Sequence, residues 1–260
     1  MKSTLTVTFL GTGTSQGIPV IGSNHPVCLS NDSKDKRLRV SVLLTWENYR
    51  YVIDCGPDFR QQMLRENVQS IDGILLTHEH SDHTAGLDDI RPFSFQKGHV
   101  DFFAHQRVFN SLHQRFAYIF ETENKYPGAP TINEIEIDKN SSFTIGNKEV
   151  IPVEAFHAAL PVLGFKIDRF TYLTDVKTME EAEIQKIKGT EILVINCLRK
   201  KPHHSHLNLE EALALIQKIG PKTTYLTHIS HLMGFHKAVE AELPDNIHLA
   251  YDGLTVEVKN

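Results

Sequence analysis

The chain has 260 residues, 40% of them hydrophobic, and a formal net charge of −5. That length and apolar content can fill the core of one α/β domain, so a single domain over 1–260 is expected. The acidic balance excludes the concentrated basic footprint that nucleic-acid backbones select, which favours small substrates and makes nucleic acid an unfavoured partner.

Residues 1–10 alternate like a strand and lack the unbroken apolar region of a secretory signal. β-Branched and aromatic residues predict further strands in chain order, giving 5–10, 40–45, 51–54, 71–77, 100–104, 150–153, 162–167, 170–174, 192–196 and 223–227. Helices are predicted over 58–66, 106–116, 178–186 and 208–219. The last has Leu209, Ala212, Leu213, Leu215 and Ile216 close to one helical stripe and stops at Gly220-Pro221. Clustered strands with helices between them predict two packed sheets covered by helices. No internal repeat or low-complexity tract interrupts the pattern, and residues 125–130 read as a loop. No apolar run approaches the roughly 20 residues that span a bilayer. Cys28, Cys55 and Cys197 are too widely spaced to suggest a disulfide framework, and a cytoplasmic protein is expected.

The chemistry concentrates in His78-Glu79-His80-Ser81-Asp82-His83, which follows the apolar run 71–76 and precedes the small-residue turn Thr84-Ala85-Gly86. An isolated His-x-His is weak evidence for a metal, but three imidazoles and a carboxylate at one strand end are side chains that can surround two ions. Four more polar residues stand where predicted strands stop. Asp54 follows Tyr51-Val52-Ile53, His157 comes shortly after Val153, Asp175 follows Tyr172-Leu173-Thr174, and His228 follows Tyr225-Leu226-Thr227. Each alone could be a cap or turn residue; together with the hexad they complete a dinuclear ligand set.

Asp54, the hexad, His157, Asp175 and His228, in that order, resemble the motifs of the metallo-β-lactamase-fold hydrolases almost from end to end. The resemblance implies a four-layered αββα sandwich with the site at one edge of the two sheets. It implies that His78, His80 and His157 hold one ion, that Asp82, His83 and His228 hold the other, and that Asp175 bridges them. Asp54 would orient the metal-binding loop without being a ligand. True β-lactamases of this fold carry Cys where this chain has Asp175, and the flavin-linked di-iron branch carries Glu where it has His80. Imidazole and carboxylate without thiolate therefore favour two divalent ions, Zn2+ or Mn2+, and hydrolysis over redox chemistry.

Gly11-Thr12-Gly13-Thr14-Ser15-Gln16-Gly17, Leu87-Asp88-Asp89-Ile90-Arg91 and Tyr225-Leu226-Thr227-His228-Ile229-Ser230-His231 resemble the phosphodiesterase branch of that superfamily. This branch includes the phosphoribosyl 1,2-cyclic phosphate phosphodiesterases and the ribonuclease Z-like tRNA 3′-processing endonucleases. A small phosphodiester is the substrate class implied. Members of the branch often carry a structural zinc site built from three Cys and a His. Here Ser23, His25 and Cys28 stand with His231, and since Ser is a poor zinc ligand, either His25, Cys28 and His231 hold a metal with water or another fourth ligand, or the segment is held without metal.

Paired ions acidify water and neutralise phosphate oxygens, so the nucleophile is solvent, which Asp82 can orient. In Pro202-His203-His204-Ser205-His206-Leu207 the resemblance makes His206 the general acid, while His203 and His204 read as a solvated loop. Arg91 is either a phosphate contact or one half of a salt bridge. Competing readings are tRNA 3′ processing, a thioesterase, and a non-catalytic metal-stabilised binding module, from which ligands are usually lost. A homodimer is one assembly the sequence allows.

Overall fold

The computed structural model describes residues 4–258. The first sheet takes β1 (Leu5–Gly11), β2 (Ser41–Trp46), β3 (Tyr49–Ile53), β4 (Gly73–Leu75), β5 (Val100–Ala104) and β6 (Ile132–Glu136). The second takes β7 (Phe143–Ile145), β8 (Lys148–His157), β9 (Leu160–Ile167), β10 (Phe170–Tyr172), β11 (Ile192–Asn196), β12 (Thr223–Thr227) and β13 (Ile247–Leu249), after which β14 (Thr255–Val258) returns to the first. The spatial orders are β14-β1-β2-β3-β4-β5-β6 and β13-β12-β11-β10-β9-β8-β7. Each sheet is antiparallel in one half and parallel in the other, β3 to β6 and β10 to β13. Parallel strands end on the same side, and a crevice outside their carboxyl ends is where open α/β sheets place a site.

Strand alternation builds the layers. Val42 and Leu44 of β2 face a core shared with Phe165, Ile167, Phe170 and Val194 of the second sheet. Leu43, between them, faces outward onto Phe59, Phe93 and Phe109. These belong to α1 (Phe59–Arg65), α3 (Arg91–Lys97) and α4 (Gln106–Arg115); α2 (Ser81–Thr84) and α5 (Ala117–Phe120) complete this side. On the far side Leu193, Ile195 and Leu226 pack against Ile184, Ile216 and Val239 of α6 (Glu181–Lys186), α7 (Leu209–Ile219) and α8 (His236–Glu240). Three apolar interfaces between four layers make the αββα sandwich, and each fully buried Phe or Leu contributes about 1.5–3 kcal/mol. No helix among the described residues is long and apolar enough to cross a membrane.

Most predicted elements recur with shifted ends. β8 runs well beyond 150–153 because it pairs with β9 from Val150 opposite Ile167 to His157 opposite Leu160, and with β7 at Lys148 to Val150. The helix expected from 178 starts at Glu181, because Thr178 instead forms a bridge with Phe156. The strand expected over 71–77 narrows to β4, and Thr77 turns to the other sheet, its carbonyl accepting from Leu163 N at 3.0 Å.

Helix α7 owes its start to a reciprocal cap, in which Asn208 Oδ1 accepts from Glu211 N at 2.9 Å and Glu211 Oε2 accepts from Asn208 N at 3.0 Å. Asn208→Ala is expected to lower stability by about 1 kcal/mol, read as a shifted urea midpoint at constant slope. Gly56 lies so close to the metal-motif loop that a Cβ there would stand 2.0 Å from Asp82 O. Gly56→Ala is expected to cost about 1–3 kcal/mol and to weaken divalent-ion binding, the first read by unfolding and the second by chelator competition.

Candidate metal centre

Three of the site residues leave their strands through the same unusual backbone turn. Asp54, Asp175 and His228 have φ of 64°, 57° and 54°. Short polar residues tolerate this left-handed region better than most, and its non-glycine occupants concentrate at functional sites. The three are buried, as are His78 and His83. The hexad enters from β4 and winds into α2, pinned by Thr84 Oγ1 donating to His80 O at 2.9 Å.

Three of the imidazoles, those of His78, His83 and His157, are oriented from behind. His83 Nδ1 lies 2.6 Å from Asp54 Oδ2, and Asp54 Oδ1 accepts from Thr77 N at 2.9 Å. His78 Nδ1 lies 3.0 Å from Thr77 Oγ1, and His157 Nδ1–H donates to Ser205 O at 2.8 Å. Such contacts fix the ring and turn the far nitrogen towards a metal. His83 Nε2 stands 3.4 Å from Asp82 Oδ2 and 3.2 Å from Asp175 Oδ2. His228 Nε2 stands 3.6 Å from Asp82 Oδ2 and 3.4 Å from Asp175 Oδ1. The Nε2 atoms of His78, His83 and His228 are buried with no hydrogen-bond partner.

Orphaned ring nitrogens around two carboxylates are what a divalent cation would satisfy. Ligand atoms within 4.8 Å of one another define three overlapping groups: His78, His83 and Asp175; Asp82, His83 and His228; and His157, Asp175 and His206. The fold implies the use of divalent metal, and these residues could hold it. The charges are coupled accordingly. Burial pushes the Asp82 and Asp175 carboxyls up, but the neighbouring His83 and His228 rings outweigh it and hold both below the ordinary carboxylate value. Burial likewise pushes His83 down, whereas Asp82, Asp175 and Asp54 carry it well above an ordinary imidazole. Burial, reinforced by His83, leaves His78 well below.

Of the expected ligands, His80 is the most peripheral, its ring 4.6 Å from that of His78 and 5.3 Å from that of His157. His206 lies deeper than a solvent-facing acid, its ring 4.4 Å from His157 and 4.8 Å from His228, with Nδ1 3.7 Å from Asp175 Oδ1. Burial, then the adjacent His228, pushes it down to about 3. Arg91 pairs with Asp88, the salt-bridge alternative. At the second cluster the rings of His25 and His231 are 4.9 Å apart, Ser23 Oγ accepts from His25 N, and Cys28 Sγ accepts from Val20 N. His25, Cys28 and His231 do not form one of the close ligand groups found among the described residues. Sequence reasoning missed Thr77 and Ser205, whose orienting contacts use a hydroxyl and a backbone carbonyl that no residue pattern flags.

Residues 49–229 match the model of the β-lactamase superfamily domain. A crystal structure of a diphosphatase from the PhnP family is 36% identical, with a TM-score of 0.92 over 98% of this chain and 97% of that one. A Porphyromonas gingivalis protein named octanoyltransferase is 41% identical over 247 residues, covering 94% of this chain; the chain spans only 50% of that relative's length. A ribonuclease Z from Bradyrhizobium diazoefficiens is 35% identical over 83 residues, which are 31% of this chain and 22% of that protein. The chain belongs to the β-lactamase superfamily and is a metal-dependent hydrolase of the metallo-β-lactamase fold.

Proposed function

We propose that the chain is a single-domain, cytoplasmic phosphodiesterase that takes two divalent ions, Zn2+ or Mn2+, and hydrolyses a small phosphodiester, cyclic ones included. The observation that carries this reading is the set of partnerless Nε2 atoms of His78, His83 and His228 around Asp82 and Asp175. The likeness to a PhnP-family diphosphatase over nearly the whole of both chains points the same chemistry at phosphorus. The octanoyltransferase name describes a protein of which half has no counterpart in this chain, so it carries no substrate across.

In this reading His78, His80 and His157 would hold one ion and Asp82, His83 and His228 the other, with the Asp175 carboxylate available to both. Bound there, the ions acidify water and neutralise the phosphate oxygens. Asp82 orients the attacking water. His206 is placed to deliver a proton to the leaving oxygen as the general acid. Asp54, Thr77 and Ser205 keep the rings aimed. The local match to ribonuclease Z favours tRNA 3′ processing as the second reading, against which the net charge of −5 weighs.

Loaded with Mn2+ or Zn2+, the protein is expected to hydrolyse bis-p-nitrophenyl phosphate; full loading with either ion and no turnover overturns the proposal. Cleavage of a tRNA precursor in preference to small diesters would replace it by the second reading. His206→Ala is expected to keep its metal content while kcat falls by about 10²–10⁴-fold. Loss of metal in that variant would make His206 a ligand instead of the acid.

A further inference from the structure

The half of the centre holding Asp82, His83 and His228 straddles the two sheets, because the first two residues leave the first sheet after β4 and His228 leaves the second after β12. Its geometry therefore depends on what joins the sheets beside His228. Ile229 N donates to Thr12 O at 2.9 Å and Thr14 N donates to Ile229 O at 3.1 Å, a backbone latch one residue beyond the ligand. The opposite half has its own latch, the Leu163 N to Thr77 O bond beside His78, which is held by Asp54 and makes no hydrogen bond to Thr12, Asp252 or Arg37.

Thr12 is fully buried and held by two charges. Its hydroxyl donates to Asp252 Oδ1 at 2.7 Å and accepts from Arg37 Nη1 at 2.7 Å. Asp252 Oδ2 also accepts from Leu38 N at 2.7 Å, and Arg37 donates to Ala250 O while its Nη2 lies 3.2 Å from His236 Nδ1. Both charges are costly to bury. Burial pushes the Asp252 carboxyl up to about 6 and the Arg37 guanidinium down to about 10. The two charges are joined through the Thr12 hydroxyl, and Arg65 Nη1 stands 3.5 Å from Asp252 Oδ2, so what the network supplies at residue 12 is fixed geometry. Among the described residues the network reaches the His228 segment at the Ile229 latch and, through Ala250 N donating to Leu226 O at 2.9 Å, at the end of β12.

We infer that Thr12, clamped between Asp252 and Arg37, is a positioning residue for His228, so that the clamp sets the metal affinity of the Asp82, His83 and His228 half without setting that of the His78, His80 and His157 half. The inference rests on the dinuclear reading above. Thr12 acts through the latch: a hydroxyl lost at residue 12 frees its carbonyl to shift, and Ile229 and the His228 ring shift with it.

The test uses the full chain, Zn2+ and a competing chelator, with His228→Ala marking which of two release steps belongs to its half. Thr12→Val, which keeps shape but removes the hydroxyl, and Asp252→Asn are each expected to weaken that step by about 10- to 100-fold and to leave the other within about twofold. Thr12→Ser should restore it. In the metal-free protein the His228 ring resonances should move in Thr12→Val and return in Thr12→Ser. Ser30→Ala, which removes only the outer bond to Asp35, should lower the melting temperature without touching either step. Equal weakening of both steps, no weakening, or the same split in Ser30→Ala overturns the inference. A wild-type protein that takes a single ion overturns the dinuclear reading instead, and the positioning role then stands or falls on whether that ion's affinity and the His228 resonances follow Thr12→Val.

Discussion

The contact on which the centre depends is the 2.6 Å bond between Asp54 Oδ2 and His83 Nδ1, made where neither residue meets solvent. A carboxylate buried without compensation would neutralise itself. Asp54 is kept in place by the Thr77 amide, the Thr77 hydroxyl and the His83 ring together. One residue thereby ties β3, the segment after β4 and α2 into one rigid corner, and the far edge of the His83 ring has no freedom left except to face Asp82 and Asp175. The positive character this leaves on His83 is matched by the negative character of the two carboxylates. Divalent ions entering such a cluster would replace shared protons, not create a new charge environment.

Much of this was legible in the residues. Tight spacing made the hexad visible, and Asp54, Asp175 and His228 were visible because each interrupts an apolar strand at its end. The sandwich was legible from strand clustering, since alternation along β1, β2 and β11 allows both faces of each strand to be buried. The strands that escaped notice, β6, β7, β13 and β14, lie at or next to the sheet edges. Ile132-Asn133-Glu134-Ile135-Glu136 shows why: an edge needs charge to discourage pairing with another chain, and that charge erases the apolar signal. Likewise β8 was read too short, because its polar positions are satisfied by pairing with β9 over the full hairpin, a long-range fact no local window contains.

His206 illustrates the opposite limit. Its position before a helix marked it as functional, yet only the fold shows it lodged between His157 and His228, where a ligand's and an acid's surroundings converge. Residue type and spacing say that an imidazole arrives; distance to Asp175 and burial decide what it can do there. Arg91 shows the reverse, since a residue that reads as a phosphate contact is already engaged by Asp88.

The two sheets share one apolar interface and also one ligand set, because the hexad belongs to the first and His157, Asp175 and His228 to the second. Neither sheet alone offers an ion more than part of its coordination. Ion capture and closure of the sandwich are therefore one linked equilibrium, in which each bound ion stabilises the closed form by an amount that grows with the logarithm of its free concentration over its dissociation constant. Metal supply then becomes a control on how long the protein persists in its folded form, in addition to any control on turnover.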